Sequence, residues 1–184
     1  ARYLVEALLQ EACAAEVLHT AFARREEVRV AAIGGGPGAE FAACCLVASI
    51  AASSSVPSHP QAAAVPAVIC KILDNEPAWG PCIDLVNERL GGVAGHATLE
   101  LCDLTASVDR AENAKLLAAV AEAQIITLCF VIHENTSALV VGEADDQRLG
   151  GAVPGVLKNA QPGAVIVALD ATGRLWPALA RTAE

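Results

Sequence analysis

Apolar residues along this chain fall into two rhythms. From Tyr3 to Ala23, Leu4, Leu8, Leu9, Ala12, Val17 and Phe22 recur at roughly helical spacing, which predicts one or two helices in an N-terminal segment, residues 1–27. Five short apolar runs follow: Val28 to Ile33, Ala67 to Leu73, Ala97 to Cys102, Ile125 to Ile132, and Ala164 to Leu169. The fourth is continuously apolar apart from one Thr and rich in β-branched residues, so it predicts a central strand buried on both faces. Between the runs the spacing turns helical again. Ala39 to Ala52 is a helix of small and apolar residues, and Trp79, Ile83, Val86 and Leu90 share one face of a helix that starts near Asp74-Asn75-Glu76-Pro77. Gly91 and Gly92 are expected to end that helix. Asn113 to Ala123 follows with Leu116, Leu117 and Val120 inward, and Val153 to Ala160 is a short helix before the Gln161-Pro162-Gly163 turn. Ser53 to Pro66, rich in Ser, Pro and Ala, reads as a surface loop, and the stretch around Glu143, Asp145 and Asp146 as less regular chain.

Strands and helices in alternation imply parallel βαβ units with right-handed crossovers. The expected fold is therefore α/β: a doubly wound, mainly parallel sheet with helices on both faces, in one domain spanning 1–184 whose core runs from 28 to 170. Composition agrees. Of the 184 residues, 54% are hydrophobic and 18% charged, enough to bury a core and too apolar for a disordered chain. The richest apolar run, Ala42 to Ala52, is shorter than the roughly 18–20 residues of a membrane span. The net charge of -9 argues against a nucleic-acid interface built by this domain alone, since phosphate contacts need a basic face. The one local basic cluster, Arg24, Arg25 and Arg29, is interrupted by Glu26 and Glu27. Seven cysteines cannot all pair with one another, and Cys44, Cys45, Cys70, Cys102 and Cys129 lie in apolar settings. No CxxC and no zinc-like Cys/His spacing occurs, so no metal is expected and a reducing, intracellular compartment is. The chain has no methionine, which points to a processed protein or part of a longer one.

In open parallel sheets, ligands bind beyond the carboxyl ends of the strands, near the point where strand order reverses. The polar residues gather at those ends: Gly34-Gly35-Gly36-Pro37-Gly38 after the first strand, Asp74 after the second, Asp103 after the third, His133-Glu134-Asn135 after the fourth and Asp170 after the fifth. A glycine loop lets the backbone approach a ligand closely, and the helix after it presents free N–H groups. Asp74 can accept from ribose hydroxyls or cap the next helix, and Asp103 can accept from an adenine amino group or serve a turn.

The segment Val28 to Glu40, with its Ile-Gly-Gly-Gly-Pro-Gly core, resembles the first motif of class I S-adenosylmethionine (SAM) dependent methyltransferases. The resemblance extends in order over roughly Val28 to Asp170. It implies SAM as cofactor: Gly34, Gly35, Gly36 and Gly38 along the methionine part, Asp74 on the ribose, and Asp103 with Leu104 at the adenine. Ile125 to Asn135 resembles the fourth motif, beside the transferred methyl, and Gln161-Pro162-Gly163 the turn before the fifth strand. Two short stretches also look somewhat like eukaryotic ribosomal RNA uridine-N3 methyltransferases, which would make RNA the acceptor. Two features depart from the pattern. About forty residues separate Gly34 from Asp74 where about twenty is usual, and the family's sixth and seventh strands have no counterpart before the chain stops.

Methyl transfer asks a protein mainly for positioning, so no universal catalytic residue is expected. The candidates are His133, as a general base toward an acceptor N–H or O–H, Glu134, orienting it or binding substrate, and Asn135. Cys129 reads as core, and no Asp/Asn-Pro-Pro-aromatic element follows the fourth strand. Two alternatives stand beside this reading: a methyltransferase-like subunit without activity, and a nicotinamide or flavin oxidoreductase using Gly34-x-Gly36-x-x-Ala39 as its glycine fingerprint.

Overall fold

In a computed structural model, residues 16–17, 20–22, 25–54, 65–143, 146–170 and 173–184 are described. Most of the expected N-terminal helices and of the Ser53 to Pro66 loop, together with Arg24 and Asp145, lie outside them. The elements are β1 (Glu27–Ile33), α1 (Ala39–Ser54), β2 (Ala67–Asp74), α2 (Gly80–Ala94), β3 (Gly95–Leu101), α3 (Ala114–Glu122), β4 (Ile125–Cys129), α4 (Val131–Glu134), α5 (Thr136–Leu139), β5 (Val140–Val141), β6 (Arg148–Leu149), α6 (Val153–Asn159), β7 (Val165–Leu169) and α7 (Trp176–Ala183). Short 3₁₀ turns precede α2, α3 and α7.

The five apolar runs form one parallel sheet in the order β3-β2-β1-β4-β7. From β1 the chain moves outward through β2 to β3, then returns to the other side of β1 for β4 and β7. Crossovers of constant hand put helices on one face while the chain winds one way and on the other face when it winds back. The two buried clusters follow this rule. Val28, Val30 and Ala32 of β1 meet Phe41 and Ala48 of α1 and Ile83 of α2 on one face, with Phe22. Ala31 and Ile33 meet Leu116 and Val120 of α3, Val156 of α6 and Ala178 of α7 on the other. The fold is doubly wound α/β and Rossmann-like, with β1 and β4 at its centre.

The elements depart from expectation at several points, β3 for one running Gly95–Leu101 and not Ala97 to Cys102. The fourth strand ends at Cys129, not Ile132: Phe130 takes a left-handed conformation with φ 63°, and Val131 to Glu134 coil into α4. His133 and Glu134 therefore sit on a helical turn above the strand. α2 runs through Gly91 and Gly92, because the helical hydrogen bonds carry across them and a glycine costs only about 1 kcal/mol there. Gly95, at φ 133°, ends it, where a β-carbon would collide with the backbone of Val68. The stretch read as irregular holds an antiparallel hairpin, β5 with β6, clasped by α7: Thr182 Oγ1 accepts from Leu149 N–H at 2.7 Å, and Arg181 Nε donates to the Gln147 carbonyl at 2.8 Å. No helix among the described residues is long and apolar enough to cross a membrane.

β4 is an interior strand of the sheet and β7 its edge. Ile126 is fully buried and Ile166, on edge strand β7, is 37% exposed. Ile126→Ala is expected to cost about 2–5 kcal/mol and Ile166→Ala under about 1 kcal/mol in urea unfolding. Equal losses would contradict the assignment of β4 to the core and β7 to the edge.

Candidate functional site

Strand order reverses between β1 and β4, and the two carboxyl ends touch there. Gly34, at φ 64°, lies so close to Val131 that a β-carbon would come within 2.5 Å of its Cγ2. Its N–H donates to the Leu73 carbonyl at 2.7 Å, tying the loop to the end of β2. Gly36 and Gly38 also have positive φ, 47° and 94°, so side chains would strain the loop at three of its glycines.

Asp74 clamps this loop from β2. Its Oδ2 accepts the Gly36 N–H at 3.0 Å and its Oδ1 the Glu76 N–H at 3.0 Å. Each oxygen keeps a lone pair for another donor. The cap of the next turn is Glu76, whose Oε1 accepts from Ala78 N–H at 2.8 Å. Asp103 begins a tight turn: its Oδ1 accepts from both the N–H and the Oγ1 of Thr105, at 2.9 and 2.6 Å, and its Oδ2 has no donor among the described residues. The turn is held from below by Asn113, fully buried, whose Oδ1 accepts the Asp103 N–H at 2.9 Å and whose Nδ2 donates to the carbonyls of Asp103, Ala106 and Ser107. Sequence reading took Asn113 only as a helix start. Its signal was an amide at a helix N-terminus ten residues beyond a site carboxylate.

These parts enclose a cleft of about 210 Å³ lined by Gly34, Leu73, Asp74, Asn75, Cys102, Asp103, Leu104, Thr105, Val131, Glu134 and Asn135. Beyond Asn75, Cys102 and Asp103, which line both, lies a wider recess of about 530 Å³ bounded by Leu99, Leu101, Ala111, Glu112 and Lys115. The structure thus brings together Gly34, Asp74, Asp103, Leu104, Glu134 and Asn135. Gly35, Gly36 and Gly38 shape the loop without lining the cleft. His133 does not line it either. It faces β7, with Nδ1 3.8 Å from Oδ1 of Asp170, so the carboxylate beside it is Asp170 and not the expected Glu134. Asn135 braces α4, its Nδ2 donating to the Val131 carbonyl at 2.8 Å.

The cleft is acidic: Asp74, Asp103 and Glu134 line it, with no lysine or arginine among the described residues that do. Arg29, in the basic cluster, is engaged elsewhere by Glu27 and Glu122. A further carboxyl lies in the first turn of α1. Glu40 is 8% exposed and its Oε2 has no hydrogen-bond partner among the described residues. Burial pushes this carboxyl up from its ordinary value of 4.5, against hydrogen bonds from its own N–H and from the Cys129 thiol. Cys129 is itself buried and pushed up to about 12 by desolvation and by Glu40, as suits a core thiol and not a nucleophile. Among the described residues no cluster of His, Cys, Asp or Glu could hold a metal ion.

Fold and cleft together define a Rossmann-like domain with an acidic cleft at its switch point. No protein-family model and no curated protein matches the chain.

Two measurements probe this arrangement. Asn113→Ala strands the Asp103 N–H and its neighbouring carbonyls, and is expected to lower stability by about 2–4 kcal/mol in urea unfolding. A loss near zero would show that the turn stands without it. For Glu40, the folded carboxyl holds its proton to higher pH than an unfolded one. Its contribution is therefore full below about pH 4.5 and is lost as pH rises through the folded value. Urea midpoints of wild type and Glu40→Gln should converge in acid and separate upward, with the variant the more stable at neutral pH. Parallel profiles would contradict a buried, proton-holding Glu40.

Proposed function

We propose that the chain is a SAM-dependent methyltransferase domain of the class I type. The observation that carries this reading is the charge of the cleft. Three carboxylates, and no cation among the described lining residues, suit a ligand with positive groups, and SAM brings a sulfonium and an ammonium. A nicotinamide or flavin dinucleotide would bring a diphosphate into the same field. It would also need backbone donors that the loop has partly spent, Gly36 N–H on Asp74 and Gly38 N–H on the Gly35 carbonyl.

The residues present fit the group. Gly34 leaves the floor of the cleft open where a β-carbon would meet Val131. Asp74 keeps a lone pair on each oxygen toward the ribose diol, Asp103 Oδ2 is available to an amino group, and Leu104 supplies an apolar wall. Bound there, SAM would supply a methyl group already activated by its sulfonium. The protein's part is to hold it, exclude water and present the acceptor. RNA remains the acceptor class suggested by resemblance, and the acidic surface implies that other segments or partners would hold it.

Calorimetric titration with SAM and S-adenosylhomocysteine tests the reading. Micromolar binding is expected, weakened by at least about tenfold in Asp74→Ala through loss of charged hydrogen bonds. Absence of binding to the folded wild-type protein would leave a methyltransferase-like scaffold without cofactor.

A further inference from the structure

The outermost strands of the sheet differ in chemistry. On one side lies β3, where Glu100 pairs with Lys115 of α3 at 2.6 Å and His96 stands exposed. Charged side chains on an edge strand discourage pairing with another chain. On the other side lies β7, Val-Ile-Val-Ala-Leu, with neither a charge nor a proline along it. The hydrogen bonds to β4 fix which way each of its residues faces. Val165 N–H donates to the Gln124 carbonyl at 2.8 Å, and the Leu169 carbonyl accepts from Phe130 N–H at 2.6 Å. Val165, Val167 and Leu169 therefore turn their backbone groups inward to β4, and Ile166 and Ala168 turn theirs outward. No strand among the described residues takes these outward groups, and the Ile166 side chain beside them is exposed. Asp170, the next charge along the chain, is turned in: its side chain is 2% exposed and faces His133.

We propose that the outer side of β7 pairs with β7 of a second copy of this chain, antiparallel, about a twofold axis through Val167. A twofold interface must be self-complementary, and this strand is. Centring the pair on Val167 overlaps the two strands along their whole length. Ile166 of one copy then faces Ala168 of the other, and each such pair exchanges both of its backbone hydrogen bonds. The larger side chain meets the smaller on one face of the joined sheet, and Val167 meets Val167 on the opposite face.

Charge selects this strand for pairing with itself. Two copies, each of net charge -9, repel wherever carboxylates meet, and none lies along Val165–Leu169. In the centred register the two Asp170 residues stand at opposite ends of the pair, each carboxylate turned toward its own His133. The cleft over β1 to β3 is separated from the paired strands by β4, so its ligand is not needed for pairing.

One short strand pair buries less than a standard interface, so a dissociation constant of about 10–100 μM is expected. Sedimentation velocity of the whole chain, from about 1 to about 500 μM, should pass from the 18.8 kDa monomer to a species of twice that mass. Added salt should favour the dimer, because it screens the repulsion between two acidic copies. Ile166→Lys puts like charges beside the axis, and Ile166→Pro removes an outward N–H without touching the bonds to β4. Each is expected to stay monomeric throughout, with far-UV circular dichroism showing the fold retained. Val167→Cys reads the register. Facing α-carbons in such a pair lie about 4.5 Å apart, within disulfide reach. Val165→Cys instead faces Leu169 and lies about 13 Å along the strand from its own counterpart. Under mild oxidation, peptide mapping should find the two copies joined through position 167 and not through position 165. A monomer at every concentration, a dimer that survives both Ile166 variants, or linkage at 165 as readily as at 167 would each overturn the proposal. Should either Ile166 variant fail to fold, the linkage map decides alone.

Discussion

Everything at the carboxyl edge depends on the contact between Gly34 and Val131, where β1 hands over to β4. Parallel strands that wind out from a centre in both directions must part at one point, and the loops there have no neighbouring connection above them. In this chain the gap is narrow, since one methyl group on Gly34 would close against Val131. That contact sets the height of the glycine loop, and Asp74 then clamps Gly36 to β2. The cleft is the space this arrangement leaves, and its acidity follows from which strand ends surround it.

Buried polar atoms hold the rest in place. Asn113 satisfies four backbone groups of the Asp103 turn, and Asn87 does the same for the start of β3, exchanging two hydrogen bonds with the backbone of Ala97. Both amides are reached from helices that pack against the sheet, so helix packing and loop shape are coupled. Among the described residues, Glu40 Oε2 and Thr127 Oγ1 are buried without a hydrogen-bond partner, a cost borne at the switch point and in β4 beside it.

The two halves of the edge differ in chemistry. Over β1 to β3 the carboxylates accept from backbone N–H groups and keep further lone pairs for a ligand. At the end of β7, Asp170 is buried and faces His133.

Periodicity was enough for the sheet. Runs such as Val28 to Ile33 and Ala67 to Leu73 are too short and too apolar to be anything but buried strands, and the helices between them force parallel pairing. The glycine loop, Asp74 and Asp103 were legible for the same local reason: strand ends are where such residues can face a ligand. The end of β4 was not legible, because an unbroken apolar run from Ile125 to Ile132 reads alike as strand and as buried helix. Only the fit of Phe130 against the Leu169 carbonyl decided the turn. Nor could spacing pair His133 with Asp170 in place of its neighbour Glu134, or place Asn113 under Asp103. The sequence by itself determined the elements and which residues stand at their ends. The tertiary structure alone decided which of those residues meet, because contacts between residues far apart in the chain depend on strand order and packing, which no local pattern encodes.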